Sequence, residues 1–259
     1  MIPSIWAWLT APEHWSGPAG IPVRVLEHLA YSAISVVLAA ALALPLGLWI
    51  GHTGRLRWLI TTGNAARAVP SLGLLFAVSM IVGPRIQGQL AFVVPSIAVL
   101  VLLAVPPLVS GAEAGVRAVD PAARDAAYGM GMRGREVLWQ VELPCALPLV
   151  WSGLRSATLQ VVATATIAAS VSLGGLGRYL IDGLAVRDYP QMAGGAVIVA
   201  VLAVIVDAVL AAVQRLAVSP GLNGSAGKTG RTGKLRRAEG VAPPKGRVLA
   251  PAVRHTEVS

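Results

Sequence analysis

The residues of this chain best suited to a specific task lie in one polar stretch. It reads Asp125-Ala126-Ala127-Tyr128-Gly129-Met130-Gly131, then nine residues, then Val141-Glu142-Leu143-Pro144. Asp125 can accept hydrogen bonds from an opposing arginine or backbone amide. Ala126 and Ala127 are small enough to let a helix sink into a groove on another protein. Asp120-Pro121 reads as a helix N-cap followed by proline at the first helical position. A short helix over residues 121–130 should stop at Gly131. A second, from about Arg133 to Val141, should end before Pro144, whose ring resists helix continuation. Two short helices joined at a glycine form a rigid protrusion, which is docking chemistry. The competing reading is an ordinary solvated helix-turn-helix loop.

Other candidates lie in apolar surroundings. Thr158, Gln160, Thr164, Thr166 and Ser170 read as a polar face that could line a path for a solute. Alternatively, those hydroxyls bond their own helix backbone or a neighbouring helix. Arg155 and Asp207 fall at matched depth, each roughly 12 Å from the same end of its apolar run at 1.5 Å per residue. Opposite charges at equal depth suggest an interhelical ion pair, since charges within a membrane are seldom left alone. Independent snorkelling to the interface is the alternative.

Catalytic patterns are missing from the sequence. Gly129 to Gly134 matches the G-x-G-x-x-G string, but that string has meaning only between a strand and a helix of an α/β unit. No G-x-x-x-x-G-K-[ST] phosphate loop is found, so any ATPase must be another chain. His14, His28, His52 and His255 are too scattered for a metal site, and no Ser/His/Asp grouping stands out. Cys145, the one cysteine, excludes an intrachain disulfide and reads as a small apolar filler.

The elements that position these residues must be membrane spans. The chain is 55% hydrophobic and 13% charged over 259 residues, against about 25% charged in a soluble domain. Five runs approach the roughly 20 apolar residues that a crossing needs. They cover about residues 30–50, 68–83, 90–112, 146–171 and 192–216, and the 173–189 region could hide a short re-entrant element. Gly47 and Gly51 form a small-xxx-small pair, read as an accident of a glycine-rich chain.

Residues 1–29 lack a basic signal region and are broken by prolines, so they read as a surface-lying lead-in with Trp6, Trp8 and Trp15 at headgroup level. Eight of the 21 basic residues fall in the last 42 positions, and residues 218–259 read as an unfolded basic tail that can touch anionic lipid. Its excess positive charge therefore does not point to nucleic acid. Arg55, Arg57, Arg117, Arg124, Arg133, Arg135 and the tail share one membrane side, opposite Arg24, Arg85, Arg178 and Arg187. The positive-inside rule then gives N-terminus out, C-terminus in, with the Asp125 loop in the cytoplasm.

The order acid-Ala-Ala, three residues, Gly, nine residues, aliphatic, one residue, Leu-Pro resembles the coupling loop of ABC importer permeases. The family pattern has Glu and Ile where this chain has Asp125 and Val141. The matched positions are Asp125, Ala126, Ala127, Gly131, Val141, Leu143 and Pro144. Val69-Pro70-Ser71-Leu72, Gly115 to Pro121, and Leu147 to Gly177 extend the resemblance, over about residues 25–217, to the osmoprotectant subgroup.

That resemblance implies an all-α, MetI-like polytopic membrane protein of the bacterial cytoplasmic membrane. It would have a permease domain over residues 30–217 and a coupling segment over about 113–145. It implies import of glycine betaine, choline or carnitine. The implied partners are cytoplasmic ABC ATPase subunits that bind ATP and Mg, an extracytoplasmic substrate-binding protein and a second permease subunit, identical or related. The aromatics Tyr31, Trp49, Phe76, Phe92 and Trp151 are spread about one to a span, so no aromatic cage is visible and tight recognition should lie in the binding protein. The reading from another class is a self-sufficient secondary transporter or channel. It would need intramembrane carboxylates, of which Asp207 is the one clear case.

Overall fold

A computed structural model describes residues 2–65 and 68–218. The expected tail falls outside the described residues, apart from Val218. Among the described residues every regular element is helical: α1 (Ile2–Thr10), α2 (Ile21–Thr53), α3 (Trp58–Ala65), α4 (Ser71–Val82), α5 (Leu90–Arg117), α6 (Pro121–Gly129), α7 (Gly134–Val137), α8 (Leu143–Ala168), α9 (Gly177–Val186) and α10 (Tyr189–Ala217). Four helical runs among the described residues are long and apolar enough to cross a membrane: Ile21–Thr53, Leu90–Arg117, Gly134–Val171 and Tyr189–Ala217. A shorter apolar run, Ser71–Arg85, accompanies them.

The core forms where α2, α5 and α8 cross. Its buried residues include Ile50, Leu75, Leu100, Leu108 and Val161. Small residues let the backbones approach. A Cβ added at Gly47 would lie 2.7 Å from Ala112 Cβ, and one at Gly51 would lie 2.7 Å from Val116 Cβ. Between α5 and α8, a Cβ at Gly111 would meet the Gly153 Cα at 2.8 Å. The Gly47/Gly51 pair is therefore a packing motif, contrary to the sequence reading, because both glycines face α5.

Several boundaries differ from the sequence expectation for physical reasons. α2 starts at Ile21, with Pro22 in its first turn, instead of near Ala30. Polar groups in its first turns find partners within the chain: Arg24 pairs with Glu27 at 2.9 Å, and His28 Nε2 lies 3.1 Å from the Val162 carbonyl, while His28 Nδ1 is buried with no partner among the described residues. The second expected run, about residues 68–83, forms α4, an apolar helix shorter than the four candidate spans. α3, which falls between the apolar runs 30–50 and 68–83, packs on α5 through Gly63 and Pro106, and Asn64 bonds Ser110 at 3.4 Å. α9 occupies the region suspected of hiding a short element.

The helix beginning at Gly134 does not stop before Pro144. It passes through a π turn, Leu138–Glu142, directly into α8. The Leu143 N–H reaches back five residues to the Leu138 carbonyl, and this widened turn accommodates the proline that follows. Cys145 is exposed and does not fill a core. Trp8 also departs from expectation: it is buried, edge-on to Tyr179 at 5.3 Å, while Trp6 and Trp15 are exposed.

Candidate functional site

The α5–α8 connection is built by local sequence signals. The Asp120 carboxylate accepts the Ala122 N–H at 2.9 Å and caps α6, with Pro121 at its first position. At the other end Gly131 takes φ +86°, a left-handed conformation that glycine adopts without strain. The Gly131 and Met132 amides return to the carbonyls of Tyr128 and Ala127 at 2.9 and 3.2 Å, closing a Schellman motif. Glu136 then accepts the Arg133 N–H at 2.7 Å where α7 begins.

This punctuation sorts the motif residues. Asp125 and Ala126 are exposed, whereas Ala127 is buried against the chain's own bundle. The two alanines therefore do different jobs, and only Ala126 is open to a partner. Val141 and Leu143 are half-buried, Leu143 packing beside Leu48, Ala112, Val116 and Ala146, and Pro144 is exposed. Tyr128, Met130 and Trp139 are exposed near Arg133 and Arg135, and a depression of about 370 Å³ lies between Arg133, Arg135, Glu136, Trp139 and Gln140. Exposed Tyr, Trp, Met and Arg beside an acid form the composition of a protein-docking surface.

Beneath that surface lies a carboxylate the sequence reading passed over. Glu142 is 1% exposed. Its Oε1 lies 2.9 Å from Arg124 Nε on α6, and its Oε2 lies 2.7 Å from His52 Nδ1 in the last turn of α2. Arg124 also donates to the Val116 carbonyl near the end of α5. Removing one partner from a buried charge of this kind costs about 3–5 kcal/mol. The signal was present: Leu138, Glu142 and Ala146 recur every four residues, which places the acid on the inward face of a helix. A second buried acid, Glu113, is flanked by Arg57 and Arg117, each at 3.4 Å.

The candidate path residues do not form one stripe. At about 100° per residue, Gln160 and Thr164 fall on one side of α8 while Thr158 and Thr166 span another arc of about 80°, and Ser170 lies past α8 in the 3-10 turn Ala169–Val171. Three hydroxyls bond their own helix: Thr158 to Leu154, Thr164 to Gln160 and Thr166 to Val162, at 2.9, 2.8 and 3.4 Å. Ser170 Oγ is buried with no partner among the described residues.

Arg155 and Asp207 are adjacent, Nε and Nη2 of the arginine donating to the two carboxylate oxygens. Both side chains keep about a third of their surface, at 39% and 31%.

At the opposite end of the bundle Glu27 accepts the Gly175 N–H at 2.8 Å, and the Tyr179 hydroxyl donates to the Ala19 carbonyl at 2.6 Å. Burial pushes the Tyr179 phenol above its usual range, Arg24 pulling it back and Glu27 adding to the rise. The chain's two phenylalanines, Phe76 and Phe92, which looked scattered in sequence, line one cavity of about 380 Å³ with Ser79, Met80 and Ser172.

Comparison with known proteins fits this architecture. Residues 43–219 match the family described as binding-protein-dependent transport system inner membrane component. The chain is 34% identical over 199 residues to the glycine betaine/carnitine/choline transport system permease protein OpuCB of Bacillus subtilis, covering 76% of this chain and 88% of that protein. It is 30% identical to the osmoprotectant import permease protein OsmW of Salmonella typhimurium, covering 73% of this chain and 87% of that one. An inward-facing structure of the MetNI methionine ABC transporter superposes with a TM-score of 0.69 at 19% identity, covering 81% of this chain and 100% of that chain, and shares the fold. Helical architecture and sequence lead to one assignment: the chain belongs to the inner-membrane permease components of binding-protein-dependent ABC importers.

Proposed function

We propose that this permease passes a small quaternary-ammonium osmoprotectant, of the glycine betaine, choline or carnitine class, and that the Asp125–Pro144 loop receives the motion that drives it. The observation that carries the loop assignment is the exposed cluster of Asp125, Ala126, Tyr128, Met130 and Trp139 beside Arg133 and Arg135. In this reading the loop faces the cytoplasm, N-terminus out and C-terminus in, as the arginine distribution supports. ATP and Mg are bound by separate ATPase chains docked on the loop. A secreted binding protein delivers solute to the opposite face, and a second permease subunit, identical or related, completes the path.

ATP binding biases the path only if the loop contact differs between the inward-open and outward-open states. The names of the relatives support the substrate class. The Phe76–Phe92 cavity offers two aromatic rings to a methylated ammonium, which cannot donate hydrogen bonds. Thr158, Gln160, Thr164 and Thr166 on α8, facing two directions, and Ser170 in the turn after it remain the candidate polar lining. A self-sufficient transporter is disfavoured because Asp207, the carboxylate it would need, is paired with Arg155.

The test is uptake of labelled glycine betaine, choline and carnitine into proteoliposomes holding this chain, its ATPase and its binding protein. Uptake of at least one solute, dependent on internal ATP, is expected. Equal uptake by the chain alone without ATP would overturn the proposal.

A further inference from the structure

One buried carboxylate joins α2, α6 and α8 where the loop meets the bundle. Glu142 closes the π turn that leads into α8 and is held by His52 from α2 and by Arg124 from α6. Arg124 reaches on to Val116 in the last turn of α5 and directly precedes Asp125. We infer that Glu142 is the positioning residue through which displacement of α6 is transmitted together to α2, α5 and α8. This rests on reading the Asp125 loop as the ATPase dock.

Three observations carry the inference. First, the exposed face of α6 bears Asp125 while its inner face bears Arg124 and Ala127, so a push on one side arrives at the Glu142 pair on the other. Second, Glu142 is shielded from water, and a buried ion pair resists separation far more than an exposed one, so paired groups move as a unit. Third, the place where the pair joins α8 is a π turn, a local widening that departs from regular helix geometry. The space around His52 is tight as well: a Cβ on Gly134 would lie 3.3 Å from its Nε2, so α7 abuts the same imidazole. The backbone also links α6 to α5 and α7, but it does not reach α2. α2 packs on α5 and α8 as well, and the Glu142–His52 contact adds a direct polar tie from the loop to α2.

The transporter, reconstituted with its ATPase and binding protein, tests this through the number of solute molecules imported per ATP hydrolysed. In Glu142→Gln the ATPase still co-purifies and hydrolysis continues, while import per ATP falls about tenfold, within the usual span of coupling energies. An unchanged ratio, or import and hydrolysis falling together with assembled yield, would overturn the inference.

If Glu142→Gln does not assemble, His52→Ala decides the matter, because it leaves the Arg124–Glu142 pair in place. A lowered ratio in that variant supports transmission through the carboxylate, and a wild-type ratio refutes it. Asp125→Lys reads the dock separately: retained ATPase binding there defeats the loop assignment, whatever Glu142 does.

Discussion

Arg155 on α8 and Asp207 on α10 meet side on, the guanidinium Nε and Nη2 donating to both oxygens of the carboxylate. Such a fork fixes angle as well as distance. It is also a principal polar tie between α8 and α10, with Gln214 donating to the Pro148 carbonyl at 3.5 Å. Arg155→Asp and Asp207→Arg should each lower the yield of monodisperse protein extracted from membranes. The double exchange should recover it. Size-exclusion profiles decide, and a double variant no better than the singles would remove the pair from the account.

The α2–α5–α8 crossings predict a contrast between glycines. Gly111→Val forces a side chain against the Gly153 backbone and should destabilise the fold by about 1–3 kcal/mol. Gly129→Ala meets nothing within 4 Å at the end of α6 and should be neutral or stabilising by up to about 1 kcal/mol. Thermal unfolding in detergent separates the two, and equal midpoints for both variants would contradict the packing described.

Solute passage gives a third prediction. If the Phe76–Phe92 cavity contacts the methylated ammonium, each alanine substitution should cost about 0.5–1 kcal/mol of transient binding. Uptake should then fall a few-fold in each single variant and further in the double, while co-purification of the ATPase stays unchanged. Wild-type uptake by the double alanine variant would exclude the cavity from the path.

Much of this architecture was legible in the sequence because lipid permits few solutions. Apolar runs marked the long helices, and Asp120-Pro121 with Gly131 marked the ends of α6. What stayed hidden depended on contacts between segments distant in the chain. Residues 21–29 read as part of a proline-broken lead-in, because the pairing of Arg24 with Glu27 that accompanies the helix there is not visible in sequence. Pro144 argued for a break because a π turn leaves no pattern that a proline rule can read. Glu142 sat inside the quoted motif without a role, since its partners lie 18 and 90 residues away, at Arg124 and His52. Hydroxyl spacing on α8 suggested one polar face, yet helical geometry divides those residues between two.

The central claim is that the exposed face of α6 receives the ATPase, and co-purification of that ATPase with Asp125→Lys tests it most directly. Asp125 is exposed and makes no core contact, so the variant should extract and unfold like the parent protein. The account predicts that its ATPase partner is lost from the purified complex and that ATP-dependent uptake stops. A fully assembled complex that still imports solute at the parent rate would contradict it.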